Sequence, residues 1–277
     1  MPTPPEPSSR HEIASIDTEV ATEARVYDYL LGGVTNFPVD RETAERQGEA
    51  VGGIENAQAG VRANRVFLGE AVRRLSAAGV RQFLDIGSGI PTEENVHEVA
   101  QRLAPESRVV YVDHDPVVLA HAHELLRSTD EGAADYIQAD MRQPGPILEH
   151  AAATLDLTRP VAVTLVSMLH FFRDDEDPQG LVRQLVDALP SGSYLVLSHL
   201  TGDFAPEVMA ALADAPGDQA SYTFIPRDKA GVAAFLAGLE LDEHGVASMA
   251  EWLPADTDPA LLQSAAMFYY CAIGRKP

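Results

Sequence analysis

The chain has 277 residues, 45% of them hydrophobic by a broad count and 22% charged, the composition of a soluble globular protein able to bury a substantial core. Lys and Arg together number 20 against 42 Asp and Glu, for a formal net charge of −22. Such a field repels polyanions and anionic membrane surfaces, so neither a nucleic acid nor a membrane is an expected partner.

The N-terminal stretch MPTPPEPSSRHE has no basic-then-apolar leader layout and reads as a Pro-rich disordered tail over residues 1–15. Residues 16–80 carry helical spacing. Val20, Ala24, Tyr27 and Leu31 recur at three- and four-residue steps, and Gly32-Gly33 ends the run. A second helical stretch begins near Asp40, and a third runs Glu55 to Gly79 with Val61, Phe67, Leu68, Val72 and Leu75 on one stripe.

From Arg81 to the end the pattern alternates. Strands are expected at RQFLDI, SRVVYVD, ADYIQAD, PVAVTLVSM and GSYLVLSHL. Between them lie helices at TEENVHEVAQRLA, PVVLAHAHELLRS, PGPILEHAAA and DPQGLVRQLVDALP. Near-continuous Val/Ile/Leu strands alternating with helices predict an α/β fold with a mostly parallel sheet covered on both faces. After a helix near Pro206 to Asp214, two further strands are expected, LELDEHGVASMAEW and SAAMFYYCAIGRK, with no helix between them, as an antiparallel pair closing the sheet edge. Residues 16–80, a helical extension and pocket lid, and 81–277, the cofactor-binding part, form one structural unit on this reading.

Residues Phe83 to Thr92, FLDIGSGIPT, follow the first strand, where an open α/β sheet binds its ligand. Gly87 and Gly89 let the backbone approach that ligand closely. Ile90 and Pro91 stand where a dinucleotide loop continues toward a third glycine, and Thr92, Glu93 and Glu94 follow. Proline supplies no N–H and acidic residues repel a pyrophosphate, so the loop suits a ligand with a ribose and no phosphate. S-adenosyl-L-methionine is such a ligand, with S-adenosylhomocysteine as its product. Asp113, ending the second strand 26 residues after Gly87, can accept both ribose hydroxyls. Asp140 ends the third strand, placed for an adenine amine, and Met141 can lie against the ring. Asp85, Ser88, His114 beside Asp113, and Ser167 at the end of the fourth strand complete the candidates from the sheet. From the N-terminal block, Tyr27 is too polar for simple core packing, and Asn36, Arg62 and Arg65 are candidates for the methionine carboxylate. The run Asp174 to Asp177 reads as a solvated helix start, and Asp115 as a helix N-cap before Pro116. No metal is expected, and the lone Cys271 can form neither an intramolecular disulfide nor a thiolate cluster. The longest apolar run, Val161 to Phe172, falls short of the about 20 residues of a spanning helix, and a cytoplasmic location is expected.

The segments ARVYDYLLGGVTNFPVDRETAE, VRANRVFLGEAVRRL, FLDIGSGIPT and RVVYVDHDPVVLAHA together resemble the bacterial S-adenosyl methyltransferase family, formerly a domain of unknown function. The resemblance runs from about Ile16 to the C-terminus. It implies the seven-stranded class I methyltransferase fold, Rossmann-like, with Gly87 and Gly89 at the methionine portion, Asp113 at the ribose and Asp140 with Met141 at the adenine. It also puts His170, in SMLHFF after the fourth strand, near the transferred methyl, as a base for a small-molecule acceptor. The resemblance names no acceptor and no oligomeric state. A protein that binds the cofactor without methyl transfer is the alternative, and an NAD-dependent oxidoreductase is a weaker one.

Overall fold

The computed structural model describes residues 16–277 apart from 93 and 126, and not the side chains of 122–125. The expected tail and Glu93 lie outside the described residues, as do the side chains of His123 and Glu124. In chain order the elements are α1 (Glu23–Leu31), α2 (Pro38–Ala50), α3 (Ile54–Ala77), β1 (Gln82–Ile86), α4 (Val96–Leu103), β2 (Arg108–Asp113), α5 (Pro116–Leu125), β3 (Ala133–Gln138), α6 (Pro144–Ala151), β4 (Ala162–Val166), α7 (Pro178–Asp187), β5 (Tyr194–Leu200), α8 (Pro206–Asp214), α9 (Lys229–Ala234), β6 (Glu240–Leu241), β7 (Ala247–Ser248), α10 (Met249–Trp252), α11 (Pro259–Phe268) and β8 (Tyr269–Arg275). Single turns of 3-10 helix occupy Leu169–Phe171 and Asp174–Glu176.

The sheet order is β3-β2-β1-β4-β5-β8-β6, with β7 also paired to β8. The first five strands are parallel and β8 is antiparallel to its neighbours. Successive residues of a strand point to opposite faces, and the packing follows that rule. Phe83, Val109 and Tyr111 enter one core, roofed by α3, while Leu84, Val110 and Val112 enter the other with Ile147 of α6. A sheet buried on both faces needs apolar residues at consecutive positions, as β1 and β2 show. The chain order reverses at β1, with β2 and β4 on either side. That switch point leaves a crevice at the strands' C-terminal ends.

The N-terminal block packs as a satellite of the main core through Val26, Leu30, Val39, Ala44 and Val61. At its centre Arg25, 1% exposed, pairs with Asp40, 0% exposed, at 3.1 Å. Asp40 also accepts the backbone N–H of Phe37 at 2.8 Å and of Thr22 at 3.2 Å.

Several expected boundaries move. The first helix starts at Glu23 rather than near Ile16. The helix after the glycine loop starts at Val96, and Glu98 accepts the N–H of Asn95 at 2.8 Å. Glu94 therefore sits in the loop, at φ 58°, and pairs with Arg73 and Arg102 instead of filling a first helical turn. At the C-terminus, the expected strand SAAMFYYCAIGRK is helical through Phe268. The expected strand LELDEHGVASMAEW pairs only at its two-residue strands β6 and β7 before α10. Asp258 caps α11 by accepting the N–H of Ala260 at 2.8 Å, with Pro259 in the first turn. The antiparallel closure of the edge stands, with a helix inside it.

Candidate active site

The cleft at the C-terminal strand ends spans about 1120 Å³, counting its solvent-open mouth. Its floor is the loop after β1. Gly87 sits at φ 74° and Gly89 at φ 65°, a left-handed backbone that a side chain disfavours. At Gly87 a Cβ would lie 2.4 Å from Cγ of Met168, so the close approach forbids one; at Gly89 it would meet nothing within 4 Å, because that position faces the open cleft. The N–H groups of Gly87 and Ser88 donate to the carbonyl of Val112 at 2.8 and 3.3 Å, tying the loop to β2. Asp113 completes the tie: one oxygen accepts the N–H of Gly89 at 2.8 Å and the other that of Asp115 at 3.1 Å. Asp115 caps α5 through Val117 at 2.8 Å and accepts the Thr22 hydroxyl at 2.8 Å, which fastens the N-terminal block to the strand end.

Two carboxylates here carry raised pKa values. Burial pushes Asp85 up to about 6, against the lowering effects of the Thr164 hydroxyl and Arg65. Burial also raises Asp113, against the N–H groups of Asp115 and Gly89. Carboxylates desolvated this way concentrate at ligand-binding and catalytic clefts, and also occur in structural networks.

Asp85, Gly87, Ser88, Gly89, Asp113, His114, Asp140, Met141, Ser167, Tyr27 and Arg65 all line the cleft. Asp140 lies on its rim beside Arg142, 3.3 Å from the guanidinium, and Met141 is 1% exposed. Two candidates do not reach it. Asn36 is spent inside its own turn, donating to Asp28 at 2.8 Å and accepting from Arg41 at 2.7 Å. Arg62, one turn before Arg65 on α3, is exposed and is not among the residues that line the cleft.

His170 also lies outside the cleft, in the wall of an adjoining chamber. Its ring is 1% exposed. Burial, with His199 and Arg227 nearby, pushes its pKa well below the ordinary histidine value. The imidazole is therefore neutral and a weak base, against the expectation that His170 acts as the base for the acceptor. The acidic run at Asp174 is paired rather than merely solvated. Asp174 meets Arg227 at 2.6 Å and Glu176 meets Arg142 at 2.7 Å, while Asp177 caps α7 through Gly180 at 3.0 Å. Among the described residues, no group of three or more His, Cys, Asp and Glu could hold a metal ion, and no helix is long and apolar enough to cross a membrane.

The cleft also draws on residues that sequence reasoning missed: Glu23, Arg142, Met168, Phe171, Phe172, Ser221 and Tyr222. Arg142 stacks over Phe172 at 4.5 Å, so both were readable as neighbours of already chosen positions. Ser221 and Tyr222 carried no such signal. They arrive because Ala21 and Ala220 form an isolated bridge, with Ala21 donating to Gln219 at 2.8 Å and Ser221 donating to Ala21 at 2.9 Å.

A parallel sheet with an antiparallel strand at one side, helices on both faces and a glycine loop with acidic strand ends at its switch point defines a class I methyltransferase. The chain belongs to the S-adenosyl methyltransferase family, whose model matches residues 9–277. It is 43% identical to a DUF574 family protein from Streptomyces avermitilis, covering 94% of this chain and 99% of that one with a TM-score of 0.86. A predicted methyltransferase from Thermobifida fusca is 37% identical, covering 97% and 99% with a TM-score of 0.85. The fold is shared with the plantazolicin methyltransferase BpumL, solved with S-adenosylhomocysteine, at 12% identity over 92% and 95% of the two chains and a TM-score of 0.51. No curated protein matches the sequence. The protein is accordingly an S-adenosylmethionine-dependent methyltransferase.

Proposed function

We propose that the cleft holds S-adenosylmethionine with Asp113 on the ribose, Asp140 and Met141 at the adenine, and the loop of Gly87, Ser88 and Gly89 against the methionine portion. Asp85 and Arg65 face each other's charge at the cleft's inner end, a donor and acceptor pair suited to the ammonium and carboxylate of an amino acid. Glu23, Ala24 and Tyr27 of α1 line the cleft from above, the position of a lid. The observation that carries the reading is the convergence of three strand-end aspartates on a loop with two left-handed glycines.

Bound there, the cofactor supplies a methyl carbon on a cationic sulfur that departs as a neutral thioether. The protein's part is to hold, orient and dehydrate. Ser167 ends β4 at φ 57°, and its N–H donates to Ser198 at 2.9 Å while Ser198 donates to Asn64 at 2.6 Å. That chain fixes the wall between cleft and chamber. His170, neutral and buried in the chamber wall, serves on this reading to shape the wall beside a small-molecule acceptor rather than to take its proton. A cytoplasmic location suits a protein whose one cysteine is buried and unpaired.

Calorimetric titration with S-adenosylhomocysteine and, separately, with NAD tests the cleft assignment. Binding of the first with no detectable binding of the second is expected; NAD binding alone would overturn it.

A further inference from the structure

A second space opens behind the cleft, about 580 Å³ against 1120 Å³. The two share five wall residues: Glu23, Tyr27, Ser167, Phe171 and Tyr222. Its remaining wall comes from α1, α2, α3 and α8, the end of β5, His170, Phe224 and the junction of α11 with β8 at Phe268 and Tyr269, and is mostly aliphatic or aromatic. Phe171, Tyr222 and Phe224 form a ring cluster with centroids 5.4 to 5.5 Å apart, the spacing at which aromatic groups attract through their edges and faces.

The charges of this wall are one-sided. Among its lining residues there is no Lys or Arg; Glu23 is the one charged side chain, and it stands in the passage to the cleft. Burial raises the pKa of Glu23, opposed chiefly by His114. Its other polar groups are largely engaged with one another. Gln47 donates to the Tyr222 hydroxyl at 2.7 Å, and the Tyr27 hydroxyl donates to the carbonyl of Val61 at 3.1 Å. A carboxylate or phosphate entering this space would lose its water and find no cation, which costs several kcal/mol. A neutral ring, or one bearing an amine or hydroxyl, would meet ring faces and a carboxylate able to accept its proton.

We infer that this chamber is the acceptor site and that it selects a compact aromatic molecule without an anionic group, its amine or hydroxyl directed at the passage beside Glu23. The inference rests on the reading of the first cleft as the cofactor site, because only then does the passage face the transferred methyl.

The test uses the full chain with and without saturating S-adenosylhomocysteine, titrated with 2-naphthol and with 3-hydroxy-2-naphthoate, which shares its ring and hydroxyl and adds a carboxylate. Ligand-observed NMR gives the dissociation constants. The neutral probe is expected to bind at least about tenfold more tightly than the anion. Filling the chamber from two different helices, with Ala57→Trp and with Leu212→Trp, is expected to abolish its binding while S-adenosylhomocysteine affinity stays within about threefold. A variant that no longer binds S-adenosylhomocysteine is set aside as misfolded, and the other then decides; if both are set aside, the ratio of the two probes decides. Equal or tighter binding of the carboxylate, no binding of 2-naphthol, or its retention in a filled and folded variant overturns the inference. Failure of the parent to bind S-adenosylhomocysteine while 2-naphthol still binds overturns the cofactor assignment instead.

Discussion

Replacing Asp85 by asparagine separates what this carboxylate does for the fold from what it does for the site. The side chain is 4% exposed and accepts the Thr164 hydroxyl, a bond asparagine can keep through its oxygen. Burial lifts the carboxyl from 3.8 to about 6. Between those values the folded state holds a proton that the unfolded chain has released, so the group's contribution to stability falls as pH rises through that window. The displacement amounts to on the order of 3 kcal/mol by neutral pH. Asparagine has no such titration. Urea unfolding at about pH 7.5 is expected to show Asp85→Asn more stable than the parent by about 1–3 kcal/mol, with the advantage gone near about pH 3, below the unfolded carboxyl's own pKa. Affinity for S-adenosylhomocysteine is expected to weaken by about tenfold or more over the same change, through the lost charge. A stability difference that is the same at both pH values would refute the reasoning, since it would mean the carboxylate does not titrate differently in the two states.

Asp113→Asn turns an amide NH2 against one of two N–H donors, from Gly89 or Asp115. With charge-assisted bonds at about 1.5–3 kcal/mol each, calorimetry should show S-adenosylhomocysteine binding weakened by about a hundredfold; a change under about threefold would remove Asp113 from the site. Arg25→Met leaves Asp40 buried without its cation and should cost about 3–5 kcal/mol in urea unfolding, part of it recovered in the double variant Arg25→Met/Asp40→Asn, whose neutral side chain still accepts the N–H of Phe37. A double variant no more stable than the single would contradict this.

The sheet and its switch point were legible because they depend on local pattern: continuous apolar strands, and glycines placed next to acids. Asp113 and Asp140 could be found by counting along alternating elements. The last helix was missed although Asp258 followed by Pro259 marks its start, because the apolar run from Ser264 into Tyr270 carries no period that separates helix from strand. Arg62 and Asn36 fail for a different reason. Composition names a residue type, while which turn of a helix reaches the cleft depends on packing, and Arg65 reaches it while Arg62, one turn earlier, stays exposed. The depressed pKa of His170 was out of reach because it arises first from burial and then from His199 and Arg227, all of them products of folding.

The Thr22–Asp115 hydrogen bond and the Ala21–Ala220 bridge join three segments far apart in the chain at one edge of the cleft. A molecule held in the cleft is thus touched by residues from Glu23 to Tyr222, and it cannot leave by that edge without unfastening all three. Release and local unfolding of the N-terminal block become one event there. For a ligand that leaves by that edge, release waits on the seam opening, and slow hydrogen exchange at the amides of Ala21 and Ser221 reports that opening.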